Sequence, residues 1–531
     1  MNDVGDPIDR RKELTGSGLV LTWWAEQTPD ALAIVSGNGT RTFAQLDRRA
    51  NQLVRALRRR GIRPGDSVAL ICDNRPEFAE VTVACIRGGL RLTPINWHLT
   101  EDEARYIATD CGAKAIIRAP LLGASGAAAG AVWGAEVDLT VGGECEGAES
   151  YDAALAAESD GPISDPGPGS VMLYTSGTTG RPKGVSRPPE AVNELAALNI
   201  YGYREDGRDV HLCTGPLYHA APLAFSLRAP LAFGCGVVLM DNWDAEETLR
   251  LIATYRVTHT HMVPTMFHRL LSLPEDIRTK YDVSSLRYVL HGAAPCPVDV
   301  KRRLIEWLGP IVWEYYAATE GVGTFVDSKT WLERPGTVGR PAVQGQVKVA
   351  DDTGDELPRG EIGLVWIRAP KSSRFEYYHD ESKTLATYRG DYFCLGDMGY
   401  MDSDGYLFLT DRAADLIISG GVNVYPAEVE AVLLEHPLVA DAAAIGVPNA
   451  EWGEEVKAVV ALVPHVEATS TLAEQLISFT RERLAHYKCP RTVDFTDALP
   501  RQDNGKLYRR LLRDKYRQEP FDRPATEPGT A

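Results

Sequence analysis

Apolar residues return every three or four positions through FAQLDRRANQLVRALRRRGI (43–62), which predicts an amphipathic helix that Gly61 stops. The next apolar run, SVALICD (67–73), has the length of a buried strand. Helix-like FAEVTVACIRGG follows, then RLTPIN, then helix-like EDEARYIATD, and the alternation returns at AKAIIR (113–118) and LRYVLHG (286–292). Strand and helix taking turns is the mark of an α/β fold with layered sheets. Near residue 345 the pattern shortens: VQGQVKVADDTGDELPRGEIGLVWIRA has brief alternating runs between turn signals and predicts a β-rich subdomain. GGVNVYPAEVEAVLLEHP (420–437), ADAAAIGVP and VKAVVALVP then predict a small α+β domain. The expected division is a large N-terminal domain over 1–411, a small C-terminal domain over 412–516, and a disordered tail over 517–531. No internal repeat is evident.

Composition narrows the class. A chain of 531 residues with 44% hydrophobic and 24% charged residues suits a multidomain globular protein. Lys and Arg number 56 against 73 Asp and Glu, a net charge of −17 that argues against nucleic acid as a partner. Nine scattered cysteines, an odd number with no CxxC, predict neither a disulfide framework nor a zinc ribbon and point to a reducing compartment. The polar start MNDVGDPIDRRKELTG has no signal-peptide core, and no run of about 18 apolar residues predicts a membrane span. A cytoplasmic protein is expected; the sequence does not fix its oligomeric state, and a homodimer is one option.

The candidate chemistry begins at YTSGTTGRPKGV (174–185). Small residues let backbone amides and hydroxyls approach polyphosphate oxygens, and Arg181 and Lys183 add positive charge. The spacing does not fit GxxxxGK[ST], and no GxGxxG occurs. The same composition also suits a plain surface turn. Four further stretches accompany it: HGAAPCP (291–297), YYAATEG (315–321), GDMGYMDSDGYLFLTDRAADLIISGGVNVYP (396–426) and LPRQDNGKLYRR (499–510).

In this order and spacing, over about residues 20–515, the five stretches resemble the adenylate-forming superfamily of acyl- and aryl-CoA synthetases, peptide-synthetase adenylation domains and luciferases. The likeness is greatest to fatty-acid or bulky-acid CoA ligases. It implies a mobile C-terminal lid and two half-reactions using ATP, Mg²⁺ and coenzyme A. A small carboxylic acid and ATP give acyl-AMP and pyrophosphate, and a thiol then takes the acyl group. The resemblance implies that Thr175, Ser176, Gly177, Thr178, Thr179, Gly180 and Lys183 hold the departing phosphates. Gly292, Ala293, Ala294, Tyr315, Tyr316 and Ala317 would surround the nucleotide, with Tyr316 stacked on adenine. Thr319 would touch the α-phosphate and Glu320 would hold Mg²⁺. Asp397 would grip the ribose hydroxyls, with Arg412 beside them at the domain junction. Lys506 would bridge acid and α-phosphate as the lid closes, offsetting the charge that builds there. Ser419, Gly420 and Gly421 would line the coenzyme A channel.

Two departures stand out. Ala317 replaces the usual glycine, and Ala414 stands where the hinge normally carries Asp or Lys, which bears on how the lid turns between half-reactions. PLYHAAPLAF (216–225) and THTHMVPTMFHRL (258–270) match the acyl-pocket segments, with His219, His261 and Ala293 as candidates and His219 a candidate for catalysis. Ala220, Ala221, Ala293 and Ala294 suggest a roomy pocket. His259 and His261 share a strand face, but no third ligand is spaced to join them in a metal site. Three outcomes stay open: a CoA ligase, an adenylating enzyme with another acceptor (a carrier protein, or nitrite activation for diazotisation of an aromatic amine), and a nucleotide-binding scaffold.

Overall fold

The computed structural model describes residues 11, 14, 16–123, 126, 133–175, 182–188, 201–204, 206–412, 415–419, 422–449, 452–502 and 505–518. Two sheets form the body of the N-terminal part. A six-stranded parallel sheet has at its centre Ser67–Ile71, flanked by Ala113–Arg118 and Arg91–Pro94. All five residues of Ser67–Ile71 are buried, as expected of a parallel strand covered on both faces. The second sheet has eight strands in the spatial order Gly321–Val326, Val312–Ala318, Tyr288–His291, His259–Met262, Val210–Cys213, Gly236–Leu239, Leu32–Ser36 and Gly39–Thr42. Its inner strands are parallel and both edge pairs antiparallel.

The expected first helix is Phe43–Arg59, opened by a capping box between Thr42 and Gln45. Its apolar stripe, including Phe43, Leu46, Leu53 and Leu57, enters the core between the sheets. The β-rich region is a five-stranded antiparallel sheet containing Val347–Ala350, Gly363–Arg368 and Tyr392–Met401. A smaller three-stranded sheet joins Leu173–Thr175, Lys183–Ser186 and Glu376–Tyr377. The C-terminal domain is a further five-stranded sheet, dominated by the antiparallel pair Val439–Asn449 and Gly453–Leu462, with helices Pro426–Leu434 and Ser470–Arg481. The last helix, Arg509–Gln518, runs two residues into the stretch expected to be tail, and residues 519–531 lie outside the described residues.

Buried charge ties these layers together. Glu80 is fully buried, and its Oε1 accepts from Arg41 Nε and Arg49 Nε, each at 2.6 Å. Tyr151 Oη donates to Oε2 of the same carboxylate at 2.8 Å. A buried carboxylate so surrounded is strongly destabilising to remove, because its partners stay buried without it. Glu80→Ala should therefore cost about 3–5 kcal/mol in denaturant unfolding. Arg48→Ala, which deletes an exposed ion pair 3.7 Å from Asp160, should change stability by less than about 1 kcal/mol.

Candidate active site

The stretch 174–185 folds as two antiparallel strands in which Thr175 pairs with Lys183 and Tyr174 with Gly184. Ser176, Gly177, Thr178, Thr179, Gly180 and Arg181 lie outside the described residues. Lys183 Nζ donates to Asp380 Oδ2 at 2.6 Å. That bond is the largest cause holding the Asp380 carboxyl at about 2, below the usual carboxylate range. Asp380 also caps the helix Glu381–Thr387 by accepting from the Lys383 backbone amide at 3.0 Å. Burial, then the neighbouring Lys183, push the Lys383 ammonium down.

The same small sheet reaches the end of Val312–Ala318 with two side chains. Arg187 Nη2 donates to the carbonyl of Thr319 at 2.7 Å. Tyr377, paired in register with Val185, donates its hydroxyl to Glu320 Oε1 at 2.9 Å. Burial lowers the Arg187 pKa while the Glu320 charge opposes that shift. Lys183, Arg187 and Lys383 with Asp380 and Glu320 thus form one ionic cluster. Arg187 lies only four residues past Lys183, within sight of the motif, but sequence reasoning singled out none of Arg187, Tyr377, Asp380 and Lys383.

Strand alternation sends Tyr315 and Tyr316 to opposite faces. A Cβ on Gly292 would lie 2.6 Å from Tyr315 Cζ, so only glycine lets the turn rest on that ring. Ala293 follows at φ +68°, a left-handed conformation costing a residue with a Cβ about 1–2 kcal/mol. Such strain collects where a turn is shaped for a ligand. Ala294 is half-buried beside it. On the other face, Tyr316 Oη donates to the buried Asp397 Oδ2 at 2.8 Å. Ala317 pairs with Val322 just after a bulge, and Asp397 pairs in backbone register with Arg412.

The segment after His219 winds as a π-helix over Pro222–Arg228, a rare form concentrated at functional sites. It brings the Phe225 ring to 4.9 Å from Tyr315 and 5.8 Å from His261. His219 itself is half-buried, with its ring 4.7 Å from Tyr218. Ala221, one of the four alanines expected to leave a roomy pocket, packs against a strand face lined with rings. His259 is held between Thr258 Oγ1 (2.8 Å) and the Tyr201 carbonyl (3.0 Å), and His261 Nε2 shares a hydrogen bond with Tyr315 Oη at 3.0 Å. Among the described residues no group of three or more His, Cys, Asp or Glu could hold a metal by itself.

The C-terminal domain delivers its glycine-lysine turn to this same sheet end. A Cβ on Gly505 (φ +80°) would stand 3.0 Å from Thr265 Oγ1 and 3.1 Å from Val263 Cγ2. Lys506 is the next residue, and its carbonyl accepts from Gln502 N at 2.8 Å. Arg501 stiffens the turn, donating to the Gly505 carbonyl at 2.8 Å and to both oxygens of Asp441 at 2.6 Å. Ser419 is buried and pairs with Val422 and Gly453. Ala414, Gly420 and Gly421 lie outside the described residues.

A glycine-shaped turn, an ionic cluster beside it and a second domain seated on the same sheet end define a nucleotide-activating enzyme of two domains. The family model for AMP-binding enzymes matches residues 21–378, and that for the AMP-binding enzyme C-terminal domain matches 428–506. The chain is 34% identical to feruloyl-CoA synthase of an Amycolatopsis species over 93% of this chain and 97% of that one. It is 33% identical to the long-chain-fatty-acid–CoA ligase FadD13 of Mycobacterium tuberculosis, over 90% and 93%. The crystal structure of the anthranilate CoA ligase AuaEII with anthranoyl-AMP superposes with a TM-score of 0.84 at 27% identity, covering 94% and 97%. The chain belongs to the AMP-binding enzyme family and is an adenylate-forming ligase with a large N-terminal and a small C-terminal domain.

The buried histidines give the fold an acid limit. Burial holds His259 and His261 at about 4, and His211 and His291 well below the ordinary 6.5. A histidine whose folded pKa is depressed stabilises the fold fully above its unfolded pKa, and that stability is lost as pH falls toward the folded value. The denaturation midpoint should thus decline from pH 6.5 down to about 4. His261→Gln, measured across the same window, should make the decline shallower.

Proposed function

We propose that this enzyme joins a carboxylic acid to coenzyme A in two steps. A carboxylate oxygen attacks the α-phosphorus of ATP, the bond to the β-phosphate breaks, and pyrophosphate leaves. The sulfur of coenzyme A then attacks the acyl carbon, its proton is lost, and AMP leaves. The observation that carries this reading is the seating of the Gly505–Lys506 turn on Val263 and Thr265, at the end of the strand that pairs with the one leading into Gly292.

In this reading residues 1–411 bind ATP and acid, and residues 412–516 form a lid that turns near Ala414. The stretch Thr175 to Gly180 with Lys183 holds the phosphates that leave. Asp380 now takes the charge of Lys183, and a polyphosphate would compete for it. Thr319 contacts the α-phosphate. Tyr316 stacks on adenine, while the ribose shares Asp397 with the Tyr316 hydroxyl and lies near Arg412. Glu320 is a suitable hard-oxygen ligand for Mg²⁺, with the remaining ligands supplied by phosphate and water, and the ion would offset phosphate charge when bound. Lys506 bridges acid and α-phosphate in the first step. Ser419, Gly420 and Gly421 serve the second step, and His219 and His261 border the acid. The nine cysteines, all free, support a reducing cytoplasm.

ATP–pyrophosphate exchange over a panel of acids, with and without coenzyme A, tests the reading. Acid-dependent exchange together with a CoA-dependent thioester is the expected result. Exchange with no thioester would move the reaction to another acceptor, and no exchange despite ATP binding would leave a scaffold. Lys506→Ala should slow adenylation by roughly 10²–10³-fold, the scale of losing one group that stabilises transition-state charge. It should leave thioester formation from supplied acyl-AMP nearly intact. Arg187→Met, which frees the Thr319 carbonyl, should raise the Mg²⁺ concentration needed for half-maximal exchange, with Arg187→Lys intermediate.

A further inference from the structure

The acid side of the eight-stranded sheet is lined in register. His211 lies beside His259 and Tyr288, and Cys213 beside His261 and Leu290 one layer nearer the Gly292 turn. Phe225 and two tyrosines cover this face: Tyr201 lies 5.4 Å from Phe225 and 6.0 Å from Tyr288, and Tyr203 lies 4.4 Å from His259. Tyr203 Oη shares a hydrogen bond with His211 Nδ1 at 2.9 Å, and Tyr315 Oη one with His261 Nε2 at 3.0 Å. Tyr315 is also the ring against which Gly292 rests, so the lined face runs up to the turn expected to meet the reacting carboxylate.

Among the described residues, His211 Nε2 and Tyr201 Oη on this face have no hydrogen-bond partner, and their side chains are only 3% and 4% exposed. Buried polar atoms are nearly always satisfied, by protein, by water or by a ligand. Burial holds His211 well below the usual histidine range and pushes the Tyr201 phenol well up, so both are neutral at pH 7. Neutral groups set among rings favour an uncharged, hydrogen-bonding partner on a flat body. A plain hydrocarbon tail there would leave both atoms unpaired.

We infer that the acid activated by this enzyme carries an aromatic ring bearing an uncharged hydrogen-bonding substituent, such as a hydroxyl or amino group, which Tyr201 Oη or His211 Nε2 receives. The inference rests on the acid-activating reading proposed above. A site built to pair with a substrate hydroxyl rejects the analogue that lacks it far more strongly than an apolar pocket distinguishes one methylene.

The test is pyrophosphate exchange with benzoate, cinnamate and 2-naphthoate, each with and without a ring hydroxyl, alongside octanoate and decanoate. The best hydroxylated acid should exceed its unsubstituted partner and both straight-chain acids by roughly tenfold or more in kcat/KM. In Tyr201→Phe, or in His211→Phe, that hydroxyl preference should fall toward one, with the melting temperature recorded to separate misfolding from lost recognition. Equal or better turnover of unsubstituted or straight-chain acids overturns the inference and leaves adenylation intact. A preference unchanged in both folded variants overturns it as well. Exchange with none of the acids overturns the acid-activating reading on which it rests.

Discussion

The hold on Thr319 and Glu320 is the constraint around which the site is arranged. These residues end a strand of the large sheet, yet their partners come from a different, three-stranded sheet: Arg187 on the Thr319 carbonyl and Tyr377 on the Glu320 carboxylate. A buried carboxylate needs partners, and Glu320 has the Tyr377 hydroxyl and the nearby Arg187 charge. The small sheet therefore does two tasks. It carries Lys183, and it sets the position of the Thr319–Glu320 dipeptide.

The C-terminal domain meets the large sheet at a different strand end. Its turn reaches the sheet end through Gly505, where a Cβ would stand 3.0 Å from Thr265 Oγ1 and 3.1 Å from Val263 Cγ2. The turn is braced from within its own domain by the Arg501–Asp441 pair. A rigid turn on a separate domain can be seated and withdrawn as a unit, which is what gating by lid movement needs.

Much of the architecture is legible because periodicity reports burial directly. The stripe in 43–62 and the apolar run at 67–73 each appear as the expected element. The stretches that carry the family likeness are local and readable in order. Contacts between distant segments are not. Lys183 and Asp380 are 197 residues apart, and neither stretch alone announces the other. The wall of rings is hidden for a different reason. HTHM and YVLH read as ordinary strands, and only the parallel register puts His211 beside His259. The neighbouring alanines, being local, say nothing of the distant rings that share this face.

Charge is divided sharply between the two ends of the site. At the three-stranded sheet Lys183, Arg187 and Lys383 face Asp380 and Glu320, and in the proposed function these groups would exchange internal partners for phosphate and a cation. On the strand face proposed to meet the acid, His211, His259 and His261 are all held neutral by burial. The division follows from one physical cause. Polyphosphate brings charge that a half-open ionic cluster can match, while the body of an acid brings none and is best met by a dry, neutral wall. The reacting carboxylate is the one charged part of the acid. In the proposed function, the attraction of Lys183, Lys383 and Arg187 would draw that carboxylate toward the nucleotide.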